Sequence, residues 1–207
     1  MRIDSVKQKN KLFNLTLTAA FVAIIAVMCF TPLGYLKAGV VEITLLSIPV
    51  AAGAVLLGRG GGFILGLAFG ISSFIQCFGM SAFGAALLSI NPFFTAVTCI
   101  LPRIAVGFFS AWIFEELSKT RLNVRVNSAI TFLSASLINT VGFVSLLVIL
   151  FGKTEYIAQL MQSVSATNLL LFAFLFAGIN SLVEAAASAV SGALLGGVLI
   201  RLKKSVR

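Results

Sequence analysis

Apolar residues fill the chain in six long runs, separated by short polar or glycine-rich segments. A helix that crosses a bilayer needs about 20 apolar residues. The runs predict transmembrane helices at 13–36, 44–57, 62–78, 92–117, 127–151 and 168–199, in a single membrane domain covering 1–207. The second run is short for a full crossing and ends at Gly58-Arg59-Gly60-Gly61, which reads as a tight turn. Pro32 and Gly34 loosen the far end of the first run, and Lys37 to Ser47 reads as an outer loop packed back on the protein. Gly79 to Asn91 reads as a second outer segment of small residues, and Pro92 suits the first turn of the helix that follows. Between Gly152 and Thr167, Tyr156, Ile157, Leu160, Met161 and Val164 recur at helical spacing and predict a short amphipathic helix on the outer surface. Gly62, Gly66 and Gly70 recur every four residues, which puts three glycines on one helix face where another backbone can approach closely.

Composition agrees with an all-α membrane protein. Of the 207 residues 59% are hydrophobic and 10% charged, with a mean hydropathy of +1.11. Soluble domains carry about 25% charged residues, so this surface needs lipid. The first apolar stretch, Leu12 to Leu36, is too long for the core of a cleavable signal peptide.

The net charge of +9 does not indicate nucleic acid, because the basic residues flank the helices. With both termini cytoplasmic, twelve basic residues fall inside: Arg2, Lys7, Lys9, Lys11, Arg59, Lys119, Arg121, Arg125, Arg201, Lys203, Lys204 and Arg207. Only Lys37 and Lys153 fall outside, a bias that the positive-inside rule predicts for a multi-pass protein of a bacterial plasma membrane.

Histidine is absent, which removes His-based acid–base chemistry, His-dependent triads and His-ligated metals. Cys29, Cys77 and Cys99 stand singly, without CxxC spacing, and read as buried, inert thiols. Glu115-Glu116 resembles the paired glutamate of intramembrane prenyl-protein proteases, but Arg121 is one position too far and the histidines are missing. The pair reads as a cytoplasmic helix end. No GxxxxGK[ST] loop occurs, so any ATP-driven motor must be another protein. No enzyme activity, cofactor or metal is expected.

Two charges remain deep in the apolar runs, Arg103 and Glu184. An ionised side chain at the centre of a helix costs roughly 2.5–3.5 kcal/mol on insertion scales. Arg103 lies about eleven residues into its helix, roughly 16 Å deep. Asn139, Glu184 and, one turn above Glu184, Asn180 fall at similar depths on the next two helices. These four pin the helices together, through an Arg103–Glu184 salt bridge, or line a substrate cavity, and the two readings are compatible because a binding site needs a rigid floor. Pro102 frees a backbone carbonyl beside Arg103. Gln76, Ser81, Asn91 and Thr95 sit at outer helix ends, where each taken alone suits a surface or capping role and together they form a candidate polar rim, with Phe78, Phe83, Phe93 and Phe94 in the same zone.

The length, the six helices, the inward termini and the missing ATPase motif resemble the substrate-binding S components of energy-coupling factor (ECF) vitamin transporters. Ala19-xxx-Ala23 on the first helix looks like the small-residue motif by which these subunits dock on their coupling protein. The run Leu46-Ser47-Ile48-Pro49-Val50 to Gly53, Leu57-Gly58, Gly66 and Phe69-Gly70 is similar to the pantothenate-type branch. So are Asn91-Pro92-Phe93, Pro102-Arg103-Ile104, and Asn180 with Glu184. The resemblance implies an outward-facing vitamin site on helices four to six and the outer loops, with Arg103, Asn139, Asn180, Glu184, Asn91 and Gln76 as site residues. It also implies a transmembrane coupling protein and two cytoplasmic ABC ATPases as partners. Other branches take riboflavin, folate, thiamine, biotin, cobalamin or queuosine precursors. A stand-alone secondary transporter and a membrane scaffold are the alternatives outside the family.

Overall fold

The computed structural model describes residues 2–31, 34–38 and 41–206, without the side chains at 2–7, 9, 10, 35–38, 41–43, 179, 180 and 204–206. Pro32 and Val40 thus lie outside the described residues, as do the side chains of Arg2, Lys7, Lys9, Lys37, Glu42, Ile43, Asn180 and Lys204.

Helix α1 spans Arg2–Cys29, so the first apolar run stops being helical seven residues before its expected end at Leu36. A proline three residues past a helix is a common stop, because it cannot extend the hydrogen-bond ladder. The chain then forms an antiparallel hairpin, β1 (Tyr35–Ala38) and β2 (Val41–Thr44), with Tyr35 opposite Thr44 and Ala38 opposite Val41. This replaces the expected loop, and it moves the start of the second helix from 44 to Ser47. The β-branched residues Val41, Ile43 and Thr44 favour the strand.

Helix α2 runs Ser47–Gln76 but is broken at Gly58, whose φ of 75° and ψ of −170° suit glycine. The two arms double back on each other. Gly53 lies against the Leu65 side chain, and a Cβ at Gly62 would be 3.1 Å from that of Ala54. In a straight helix residues eight apart are about 12 Å apart along the axis, so these contacts require a reversal. The first arm, 47–57, is about 16 Å long by the same rise.

Helices α3 (Ala82–Ile90), α4 (Pro92–Leu117), α5 (Val124–Phe151), α6 (Glu155–Ser163) and α7 (Leu169–Val206) follow. α3 was not expected; its N-terminus is capped by Ser81 Oγ, which accepts from Gly84 N at 3.2 Å. α4 matches its expected bounds, and α6 is the expected amphipathic helix, with Ile157 fully buried. α7 bends at Gly178 (φ 22°). Five helices among the described residues are long and apolar enough to cross a membrane, and 169–178 is a shorter apolar segment. Leu170, Phe174, Leu182, Ile149 and Leu194 stand exposed on their flanks, as lipid-facing side chains do.

The glycine stripe does what its spacing predicts. A Cβ at Gly62 would strike the carbonyl oxygen of Gly107, and one at Gly66 that of Arg103. At Gly70 it would lie 2.8 Å from Ile100 Cα. α2 and α4 therefore meet backbone to backbone. Without a hydrophobic drive inside lipid, such close packing is the main source of helix association. On the other side, Gly192 and Gly196 of α7 seat against Ser128 and Phe132 of α5.

Two apolar clusters result. One joins α1, α2, α4, α5 and the end of α7 around Val50, Leu65, Phe69, Val106 and Phe132. The second joins α3, the end of α5, α6 and the start of α7 around Leu147, Phe151, Ile157 and Phe172. At the Gly58 end of the bundle an ion pair joins α2 to α4, Arg59 Nε to Glu115 Oε2 at 2.7 Å, and Lys119 Nζ pairs with Glu116 Oε1 at 2.8 Å at the end of α4 itself. Lys203 Nζ donates to Val55 O at 2.7 Å and lies over the Phe114 ring. Glu115 and Glu116 thus hold a helix end together.

Candidate functional site

Pro102 shapes the site through what it lacks. It has no N–H to give the Thr98 carbonyl four residues back, so that acceptor is left open inside α4. Arg103 fills the vacancy, with Nη1 donating to Thr98 O at 3.1 Å. Its guanidinium carbon also lies 4.8 Å from the Phe143 ring centroid and 5.5 Å from that of Phe69. Gly66 presses on the Arg103 backbone from the other side. The side chain is thereby held by three helices. Its Nε, buried, has no hydrogen-bond partner.

Arg103 faces a cavity of 580 Å³ at the end of the bundle opposite the Gly58 turn. That volume lies in the range of small-molecule sites. The walls come from the end of β2 (Thr44), α2 (Ser73, Gln76), α3 (Phe83, Leu87), α4 (Cys99, Arg103), α5 (Asn139, Thr140, Phe143), α6 (Tyr156) and α7 (Phe176, Ser181, Glu184). Asn139 and Glu184 are neighbours: Asn139 Nδ2 donates to Glu184 Oε1 at 3.4 Å, and Ser47 Oγ donates to the same oxygen at 3.5 Å. Asn139 Oδ1 is buried without a partner. One wall is aromatic, with Phe83 centred 5.5 Å from Phe176, 6.0 Å from Tyr156 and 6.3 Å from Phe143. Burial raises the pKa of the Tyr156 phenol above its ordinary value.

Of the expected site residues, Arg103, Asn139, Glu184 and Gln76 all line this cavity. Gln76 also has a structural task, since its Nε2 donates to Cys29 O and ties off the end of α1. Asn91 lies elsewhere: its Oδ1 accepts from Phe94 N at 3.0 Å and caps α4, so it is not among the cavity walls. The Asn180 side chain lies outside the described residues. Among the described residues no ion pair joins Arg103 to Glu184; Arg103 uses the Thr98 carbonyl and two rings instead. Ser81 lines the cavity, whereas Thr95 returns its hydroxyl to Asn91 O within α4. Phe83 is a wall residue, while Phe78 and Phe93 are exposed.

Sequence reasoning missed Ser73, Thr140, Phe143 and Ser181 as walls. Ser181 carries a usable signal, being one turn above Glu184 at i−3. Phe143 stands four residues after Asn139, on the same helix face, for the same reason. The cysteines Cys77 and Cys99 also line the cavity, with their sulfurs 3.8 Å apart.

Chemically the arrangement is a binding site. It offers a fixed cation with a spare donor, an open amide acceptor, hydroxyls and an apolar wall. It assembles no nucleophile–base pair, and no cluster of three or more metal-binding side chains occurs among the described residues.

No curated protein matches the chain. A family model described as "ECF transporter, substrate-specific component" matches residues 13–196, nearly the whole chain. That family comprises transporter subunits rather than enzymes, and its match together with the apolar helices marks a multi-pass protein of the cell membrane. The chain therefore belongs to the substrate-specific components of ECF transporters, as the substrate-binding membrane subunit of such a transporter.

Proposed function

We propose that this subunit captures pantothenate from outside the cell, with Arg103 as the anchor for its carboxylate. The observation that carries the reading is Arg103 itself. It is a buried cation in the cavity wall, held by a carbonyl and two rings, with an unpartnered Nε and no carboxyl group of the described residues in ion-pair contact. A buried charge without a counter-ion is costly, and an anionic ligand supplies one. Pantothenate also carries an amide, two hydroxyls and a gem-dimethyl group. Asn139 Oδ1 suits an amide N–H or hydroxyl, Tyr156 and Ser181 can donate or accept, and Phe83, Phe143 and Phe176 suit the methyls.

The same aromatic wall favours a second reading, a flat-ringed vitamin such as riboflavin or folate. Titration calorimetry with a panel of B vitamins decides between them. Tight one-to-one binding of pantothenate supports the first reading; tight binding of another vitamin to the exclusion of pantothenate replaces it.

Six crossings with both termini cytoplasmic are part of this proposal. The reversal at Gly58 and the twelve-to-two distribution of basic residues support it. The cavity then opens outward, and the ion-paired end faces the cytoplasm. The partners are a transmembrane coupling protein and two cytoplasmic ABC ATPases. Ala19 and Ala23 are both exposed on α1, a helix that buries little of itself within this chain, so a flat small-residue face is available to the coupling protein. Replacing both by leucine is expected to abolish co-purification with that protein while vitamin binding persists; retained co-purification would remove the motif from the interface.

A further inference from the structure

Cys77 and Cys99 are 22 positions apart on different elements, the turn after α2 and the second turn of α4, yet their sulfurs lie 3.8 Å apart. That is van der Waals contact. The helix that carries Cys77 packs closely on α4 at the level of Cys99, since Gly70 sits against Ile100 and the Cys99 carbonyl. Cys77 stands two residues before Gly79, whose φ is 119°, and its side chain is held only by weak sulfur contacts, to Ser73 O at 3.5 Å and to Cys99 itself. Both cysteines line the cavity that also holds Arg103, so a small solute that enters the cavity comes against them. They stand at the end of the bundle away from the basic cluster, which the positive-inside rule assigns to the outside, where thiols meet oxidants.

We propose that Cys77 and Cys99 form an oxidisable dithiol in the cavity wall, converted to a disulfide by a hydroperoxide that enters the cavity. In the first step one sulfur attacks the peroxide oxygen. The O–O bond breaks, a sulfenic acid forms, and the remainder of the hydroperoxide leaves as an alcohol, or as water when the oxidant is hydrogen peroxide. In the second step the neighbouring sulfur attacks the sulfenic sulfur. The S–O bond breaks, the S–S bond forms, and water leaves with the second thiol's proton. Two thiols lose two electrons in all, and one hydroperoxide is reduced. A third cysteine, Cys29, is not part of the pair. Joining the sulfurs closes their gap by roughly 1.8 Å, against a tolerance of about 0.5 Å for a preorganised site, so the oxidised wall holds ligand less well.

The test uses the full chain in detergent or nanodiscs, treated briefly with hydrogen peroxide and then freed of it. Thiols that react with a maleimide after denaturation are expected to fall from three to one, and dithiothreitol to restore all three. Non-reduced peptide mapping is expected to join the Cys77 and Cys99 peptides. Retention of three thiols, a loss that dithiothreitol does not reverse, or a link through Cys29 would each overturn the proposal. The thiol count does not depend on which vitamin binds, so it stands apart from the pantothenate reading. For whichever vitamin binds, oxidation is expected to weaken affinity about tenfold, with no such change in a Cys77→Ser/Cys99→Ser variant. Equal affinity of the two redox forms would separate the dithiol from ligand binding.

Discussion

The two ends of this bundle treat buried and half-buried charge in opposite ways. At the Gly58 end, Arg59, Lys119 and Lys203 each meet a glutamate or a carbonyl on a neighbouring turn or helix, and the helices close over one another. At the other end the helices part around a 580 Å³ cavity, and Arg103 Nε and Asn139 Oδ1 are left without partners. The same kinds of side chain serve as staples in one place and as open valences in the other. Buried polar groups normally find partners inside the fold. An end that leaves a cation donor and an amide acceptor open beside a cavity is arranged for a partner that comes and goes.

The sharpest way to break the contrast is to remove the seam from which both ends hang. Gly66→Leu would drive a side chain into the Arg103 carbonyl on α4, and there is no flexible atom to yield. A loss of more than about 4 kcal/mol is expected, read as aggregation or an absent monodisperse peak in size-exclusion chromatography. A well-behaved Gly66→Leu protein would mean that the two helices are not in backbone contact.

Next in size comes Arg103→Met. Pantothenate affinity is expected to fall roughly 100-fold or more, as for truncation of a charge-assisted contact, while the protein still elutes as a single species. Thr98 O loses its donor, so thermal stability should drop modestly, by about 1–3 kcal/mol. Asn139→Leu removes the open acceptor together with the hydrogen bond to Glu184, and about tenfold weaker binding is expected in the same titration. Smallest is Glu115→Gln at the closed end. Its pairing with Arg59 is half exposed, so about 0–1 kcal/mol of stability and no change in vitamin affinity are expected. If Glu115→Gln weakened binding as much as Asn139→Leu, the division between a stapled end and a binding end would collapse.

Much of this arrangement was legible in residue order. The glycine stripe announced the α2–α4 contact because a four-residue repeat stays on one helix face. Counting depth along the helices brought Arg103, Asn139 and Glu184 to one level, and Asn91-Pro92 and Leu117 bounded α4 correctly. Depth does not give rotation about the helix axis, however, and rotation decides who pairs with whom. That is why an Arg103–Glu184 bridge looked available when Arg103 is in fact turned to the carbonyl that Pro102 vacates. Asn91 carries two readings, a ligand group by the family resemblance and a cap by its place directly before a helix-starting proline, and its hydrogen bond from Phe94 N is that of a cap. α3 carries no clear signal of its own, because the small residues from Gly79 to Ala86 suit an outer segment as well as a tightly packed helix. The Cys77–Cys99 contact has no sequence signature, since it depends on how α2 leans on α4.

The central claim is that the cavity recognises an anion through Arg103. The most direct measurement is calorimetric titration of the purified chain with pantothenate and with its alcohol analogue, in which a hydroxymethyl group replaces the carboxylate. The account predicts that pantothenate binds roughly 30- to 100-fold more tightly than the alcohol, and that Arg103→Met removes most of this difference. Equal affinity for the two ligands, or a preference for pantothenate that survives Arg103→Met, would contradict it.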